Sequence, residues 1–148
     1  MPKAPLPAAL ALVLLAAPAA AWEAHTNGAV CELTHDTAEA RAYLSYDPAG
    51  PLYTITLTLK GATWPPAPAF SIRFDGPQGM TISTSRQTYS DAGRALTVTD
   101  TGFGNVLNGL ELNDTATALL GGEALTLPLD GAAPAVEAFR ACARGLNA

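Results

Sequence analysis

The sequence predicts a mainly β fold, an antiparallel β-sandwich or flattened barrel with a C-terminal α-helix. Three observations carry that expectation. Roughly eight short segments, many alternating apolar and polar residues, recur at about 8–12-residue spacing with turn residues between them. The chain holds 13 glycines and 12 prolines in 148 residues, so long unbroken helices have little room. Only the segment near the C-terminus combines a helical period with helix-start and helix-stop residues.

The first segment reads as an address rather than as part of the fold. Residues 1–21 place Lys3 before an apolar run from Leu10 to Ala17, then end on Ala19-Ala20-Ala21. A short positive region, an apolar stretch and small residues at the end are the parts of a cleaved Sec signal peptide. The run is shorter than the roughly 20 apolar residues that span a bilayer. Cleavage would make Trp22 the new N-terminus, so no cysteine stands at the cleavage site to carry a lipid anchor. Residues 22–148 then form a single β-rich domain of ordinary length.

Along that domain, Trp22 to Ala29 reads as an irregular lead-in with a turn at Asn27-Gly28. Val30 to Thr34 is a short strand carrying Cys31, and Ala40 to Tyr46 another, ended by Asp47-Pro48-Ala49-Gly50-Pro51. Leu52 to Lys60 is the clearest strand. Tyr53, Ile55, Leu57 and Leu59 take its buried face, and Leu52, Thr54, Thr56 and Thr58 the other. Trp64-Pro65-Pro66-Ala67-Pro68 cannot be regular strand, because its prolines remove ladder donors.

Phe70 to Phe74 follows, with Phe70, Ile72 and Phe74 on one face, and Asp75 to Gly79 turns it into Met80 to Ser85. Gln87 to Ser90 extends the sheet, Asp91-Ala92-Gly93 turns the chain, and Ala95 to Thr99 is a strand with Leu96 and Val98 inward. Phe103, Val106, Leu107 and Leu110 sit at i, i+3, i+4 and i+7, the spacing of one or two helical turns. Thr115 to Leu120 and Ala124 to Leu129 flank Gly121-Gly122-Glu123 as a hairpin. Pro134 to Arg144 is the closing helix, with Pro134 in its first turn, Gly145 past its end and Val136, Phe139 and Ala143 as its apolar stripe.

Cys31 and Cys142 are the only cysteines. In an exported chain an even pair predicts a disulfide, which would lay the Cys31 strand beside the C-terminal helix. A redox pair would normally be close in sequence, as in C-x-x-C, and that motif is missing.

Charge narrows the partners. The full chain carries a formal charge of −5 with 14% charged residues, and losing Lys3 makes the mature chain slightly more acidic. Without clustered basic residues, nucleic acid and anionic membrane surfaces are not expected partners. No G-x-S-x-G elbow or P-loop is present, and the two histidines, His25 and His35, lie near the mature N-terminus. His25, Cys31 and His35 could together suit zinc or copper, but the expected disulfide removes Cys31 as a ligand. No catalytic residue, no metal and no cofactor is therefore assigned. Asn113-Asp114-Thr115 matches the N-glycosylation sequon, a motif frequent by chance.

Surfaces remain. Trp64 with Pro65 and Pro66 either caps the core or presents a stiff recognition loop to an envelope protein. Arg73 and Arg86, on adjacent expected strands, either pair with surface carboxylates or bind an anion. The Thr and Ser faces form solvent-facing sheet or an edge open to strand addition.

Some local motifs also carry a likeness. The signal followed by Trp22, Cys31-Glu32-Leu33 and the closing Leu127-Pro128-Leu129-Asp130-Gly131 and Phe139-Arg140-Ala141-Cys142 resembles small exported alphaproteobacterial proteins. Phe74-Asp75-Gly76-Pro77 and Gly104-Asn105-Val106-Leu107-Asn108-Gly109 resemble their roseobacter-type group, whose members sometimes carry the label of an excinuclease component. The two ends are distantly similar to invasion-associated locus B proteins, which usually carry cysteines that this chain lacks. The resemblance implies export and a β domain, and brings no catalytic residues. The expectation is an exported periplasmic binding or protein-interaction module without catalytic activity and without a membrane anchor after cleavage. A structural or inhibitor-like envelope protein is the alternative. A small exported hydrolase, needing His25 or His35 beside a serine or carboxylate, comes third.

Overall fold

The structure is a computed structural model and describes residues 2–14 and 21–146. Residues 2–14 form neither helix nor strand and expose their leucines. Ala19 and Ala20 of the expected cleavage site lie outside the described residues.

The chain opens with β1 (Glu23–Asn27) and β2 (Val30–Asp36), paired antiparallel from Glu23↔Thr34 to Asn27↔Val30. β1 corrects the expected irregular lead-in. Gly28, at φ +60°, takes the left-handed conformation that the two-residue connection needs. As an edge strand β1 contributes only Ala24 as a partly buried residue, so it lacks a run of alternating hydrophobics. β3 (Ala40–Asp47) and β4 (Leu52–Leu59) continue the sheet, and β8 (Ala95–Asp100) and β7 (Thr88–Ser90) complete it. The order is β1-β2-β3-β4-β8-β7.

The second sheet is β10-β9-β5-β6, from β5 (Phe70–Asp75), β6 (Met80–Thr84), β9 (Thr115–Leu120) and β10 (Glu123–Pro128). Both sheets are antiparallel and do not close into a barrel, so of the two architectures expected the sandwich is the one formed. Ala42, Leu44, Ile55 and Leu57 of the first sheet meet Ile72, Phe74, Ala116 and Leu127 of the second across the core. The alternation in β4 holds: Ile55, Leu57 and Leu59 are buried, Tyr53 half-buried. On the outer faces hydroxyls pair across strands, Thr54 with Thr99, Thr56 with Thr97 and Ser71 with Ser83.

Helix α1 (Gly104–Leu112) follows β8 and packs Gly109 against Phe74. A Cβ at position 109 would stand 2.4 Å from the Phe74 ring, so this close approach requires glycine. Asn113, buried at the end of α1, donates to the carbonyls of Gly109 and Gln78 and accepts from the Gln78 N–H. The sequon asparagine thus pins α1 to the turn between β5 and β6.

Helix α2 (Ala132–Leu146) buries Val136, Phe139 and Ala143, as its sequence spacing predicts, but begins before Pro134 and runs through Gly145. Cys142 on α2 is bonded to Cys31 on β2, with Cα atoms 6.0 Å apart and 111 residues between them in sequence. Trp22 closes the same flank. Its indole donates to the Pro128 carbonyl at 3.0 Å, and its ring stacks on His35 at 4.6 Å.

Candidate functional site

The opposite flank is where β6, the edge of the smaller sheet, faces β8. Between them lies a cavity of about 420 Å³ that opens to solvent. Its inner wall is supplied by both sheets, with Ile55 and Val98 from one and Phe70, Ile72 and Ile82 from the other, and Phe103 adds its ring at one end. The origin is the strand arithmetic. Met80, Ile82 and Thr84 are the inward residues of a five-residue edge strand and stay only half-buried, because among the described residues no further strand follows β6 in its sheet.

The rim is polar. Arg86, just past β6, donates from Nη2 to Asp100 Oδ2 at 2.6 Å, joining the chain after the smaller sheet to the end of β8. The Thr101 backbone N–H bonds to Asp100 Oδ1 at 2.7 Å and is the main reason that carboxyl is held below its ordinary range. Arg86 lowers it further. Ser83, Thr84 and Asn105 complete the rim.

A second cavity, of about 310 Å³, adjoins the first and shares Gly102, Phe103 and Gly104 with it. Tyr53, Leu107, Arg140 and Arg144 form its other walls. Arg140 bonds to Asn108 Oδ1 at 2.7 Å and pairs with Glu111 at 3.3 Å, joining α2 to α1. Burial raises the Tyr53 phenol, Tyr46 adds to that rise, and Arg140 opposes it. Tyr53 stacks on Phe103 at 5.5 Å, so an aromatic contact ties the first sheet to the wall between the cavities.

The residues singled out from sequence do not converge. Trp64 is 3% exposed, its indole donates to the Leu57 carbonyl at 3.0 Å and its ring meets Phe70 edge-on, which is a core cap. Pro65 is half-buried and Pro66 exposed, and the Tyr89 hydroxyl donates to the Pro65 carbonyl. Arg73 pairs with Asp75 on its own strand at 3.0 Å. Arg86 alone of these five lines the cavity. His25 is exposed on β1, whereas His35 is buried against Trp22 with both ring nitrogens unpartnered. Among the described residues no three His, Cys, Asp or Glu side chains converge on a metal position.

Gly102, Phe103, Asn105 and Ile82 were missed as site residues. The available signal was Gly102-Phe103-Gly104, an aromatic between two bare backbone positions at a helix start. Comparison with known proteins finds no matching family model, no matching curated protein and no matching solved structure. The fold itself defines the class: a two-sheet β-sandwich with a C-terminal helix, a disulfide at one flank and a cavity at the other. The disulfide points to a non-cytoplasmic location, and no helix among the described residues is long and apolar enough to cross a membrane.

Proposed function

We propose that this is an exported periplasmic binding module without catalytic activity, and that the cavity between β6 and β8 is its binding site. The observation that carries the reading is the cavity itself. At about 420 Å³, with apolar walls from both sheets and a few polar groups at the rim, it has the size and chemistry of a small-molecule pocket. Export rests on the leader pattern of residues 1–21 together with the disulfide. The non-catalytic reading rests on the histidines: His35 is held by Trp22 away from any hydroxyl or carboxylate partner, and His25 stands on the outer edge strand. Trp64, packed into the core, favours this reading over a protruding inhibitory loop.

The test uses the disulfide-bonded mature chain and the neutral fluorophore N-phenyl-1-naphthylamine. Saturable binding with one site per chain is expected, and Ile82→Trp, which fills the cavity from β6, should abolish it. Gly102→Leu is the second variant, because a Cβ there meets nothing within 4 Å. Binding that survives Gly102→Leu and Ile82→Trp in folded protein, or no saturable binding by the wild type, overturns the proposal.

A further inference from the structure

The two adjoining cavities differ in chemistry, and that difference selects a ligand. Building on the binding-module reading, we infer that the site takes a single-chain anionic amphiphile of the fatty-acid kind. The apolar tail occupies the cavity between β6 and β8, and the carboxylate lies in the neighbouring cavity against Arg140 and Arg144.

Continuity comes from the shared wall. Gly102 and Gly104 line both cavities, and a Cβ built on either meets no atom within 4 Å. Bare backbone at Gly102 and Gly104 flanks the Phe103 ring in the wall shared by the apolar and basic spaces, and there a chain can cross beside that ring. The apolar space suits one tail, since β4, β5, β6 and β8 wall it on opposite sides.

The sign of the head group follows from the arginines. Acidic residues outnumber basic ones by 13 to 8, and Arg41, Arg73, Arg86 and Arg94 each pair with an aspartate. Arg144 makes no ion pair among the described residues, although it lines the second cavity. Arg140, one helical turn earlier on the same face, keeps a buried Nε with no partner even while its Nη2 holds both Asn108 and Glu111. In a chain with carboxylates to spare, the exposed Arg144, unpaired among the described residues, leaves donors for an anion from outside, with the Arg140 charge beside it. The first turn of α1 adds to this, since its N-cap residue Phe103 supplies no side-chain acceptor for the backbone N–H groups there.

The experiment measures displacement of N-phenyl-1-naphthylamine from the mature chain by decanoate, 1-decanol and acetate. Decanoate should bind about tenfold more tightly than decanol, the effect of about one charge-assisted hydrogen bond, and acetate should displace nothing. Arg144→Gln should remove most of that preference without changing decanol affinity, and Arg144→Lys should keep much of it. Raising salt should weaken decanoate and leave decanol unchanged. Equal affinity for decanoate and decanol, or a preference untouched by Arg144→Gln, overturns the inference while the binding-module reading stands. Failure of the fluorophore and decanol to bind defeats that reading instead. Co-sedimentation with phosphatidylglycerol vesicles would also overturn the inference, by making the occupant a membrane surface.

Discussion

On one flank of the sandwich β1, β2 and α2 meet around the Cys31–Cys142 bond, and on the other β6 and β8 stand apart across a space open to solvent. The strands are alike in length, five to seven residues, but their closure differs. The first flank has a covalent bond, a buried tryptophan with its N–H satisfied, and the fully buried Phe139 and Val136 of α2. The second has one exposed ion pair and half-buried inward residues on its edge strand. The tightest closure lies where β1, β2 and α2 meet, which leaves the other flank able to keep an open cavity. A domain with only one such clamp is sensitive to losing it.

The largest effect should therefore come from the clamp. In the chain-entropy view, opening a cross-link that closes a loop of this length costs about 5 kcal/mol before any native-state adjustment. The double variant Cys31→Ala, Cys142→Ala should lower the denaturation free energy by that order, and reduction of the wild type should reproduce it. Equilibrium unfolding in urea, with and without reductant, measures both. A loss below about 1 kcal/mol would show that the unfolded chain is held together by something else, and the two flanks would no longer differ in kind.

A matched pair of truncations gives the next largest contrast. Leu33 on β2 is 0% exposed, so Leu33→Ala should cost about 3 kcal/mol through lost transfer energy and the void it leaves. Ile82 on β6 is half-buried and already borders open space, so Ile82→Ala leaves no new enclosed void and should cost about 1 kcal/mol or less. Urea midpoints for the two variants measure the gap. Equal losses would mean that the cavity side is packed as tightly as the clamp.

The same contrast explains what could be read from the sequence. Elements whose two faces differ sharply were legible. In β4 threonines alternate with Ile55, Leu57 and Leu59, the α2 stripe sits where its period places it, and the β9–β10 hairpin forms with its second strand one residue earlier than expected, at Glu123–Pro128. The Cys31–Cys142 bond was legible because two cysteines allow one intramolecular pairing. β1 was not, because an edge strand that buries little has no alternation to show. The start of α2 at Ala132 was hidden for another reason: Pro134 is compatible with several positions in a first turn. The cavity was least legible of all. Ile55, Phe70, Ile82, Val98 and Phe103 come from five segments, and nothing local records that no strand follows β6 in its sheet. Trp64 stayed open between two readings for a related reason: a Trp-Pro-Pro run has the same sequence whether it projects or caps, and the indole bond to Leu57 decides for the cap.

The smallest expected effect concerns the rim of the cavity, where Asp100 joins Arg86. Its carboxyl lies below its ordinary value of 3.8 in the folded chain. A group depressed on folding contributes stability above its unfolded value and loses it as pH falls through the folded value. The Asp100–Arg86 link should therefore be indifferent to pH between neutrality and about 5, and should open only below the ordinary carboxylate range. The main cause of the depression is the Thr101 N–H rather than the guanidinium, which sets up a discriminating variant. In Arg86→Gln the Asp100 titration, followed by carbon NMR of the side-chain carboxyl, should rise only part of the way back. A return to the ordinary value would assign the depression to Arg86 and make the ion pair the dominant tie at the rim. A partial return would assign it to the backbone turn after β8, which fixes the carboxylate whether or not Arg86 reaches it. The open flank would then be held in shape by its own β8–α1 connection, with the ion pair adding little.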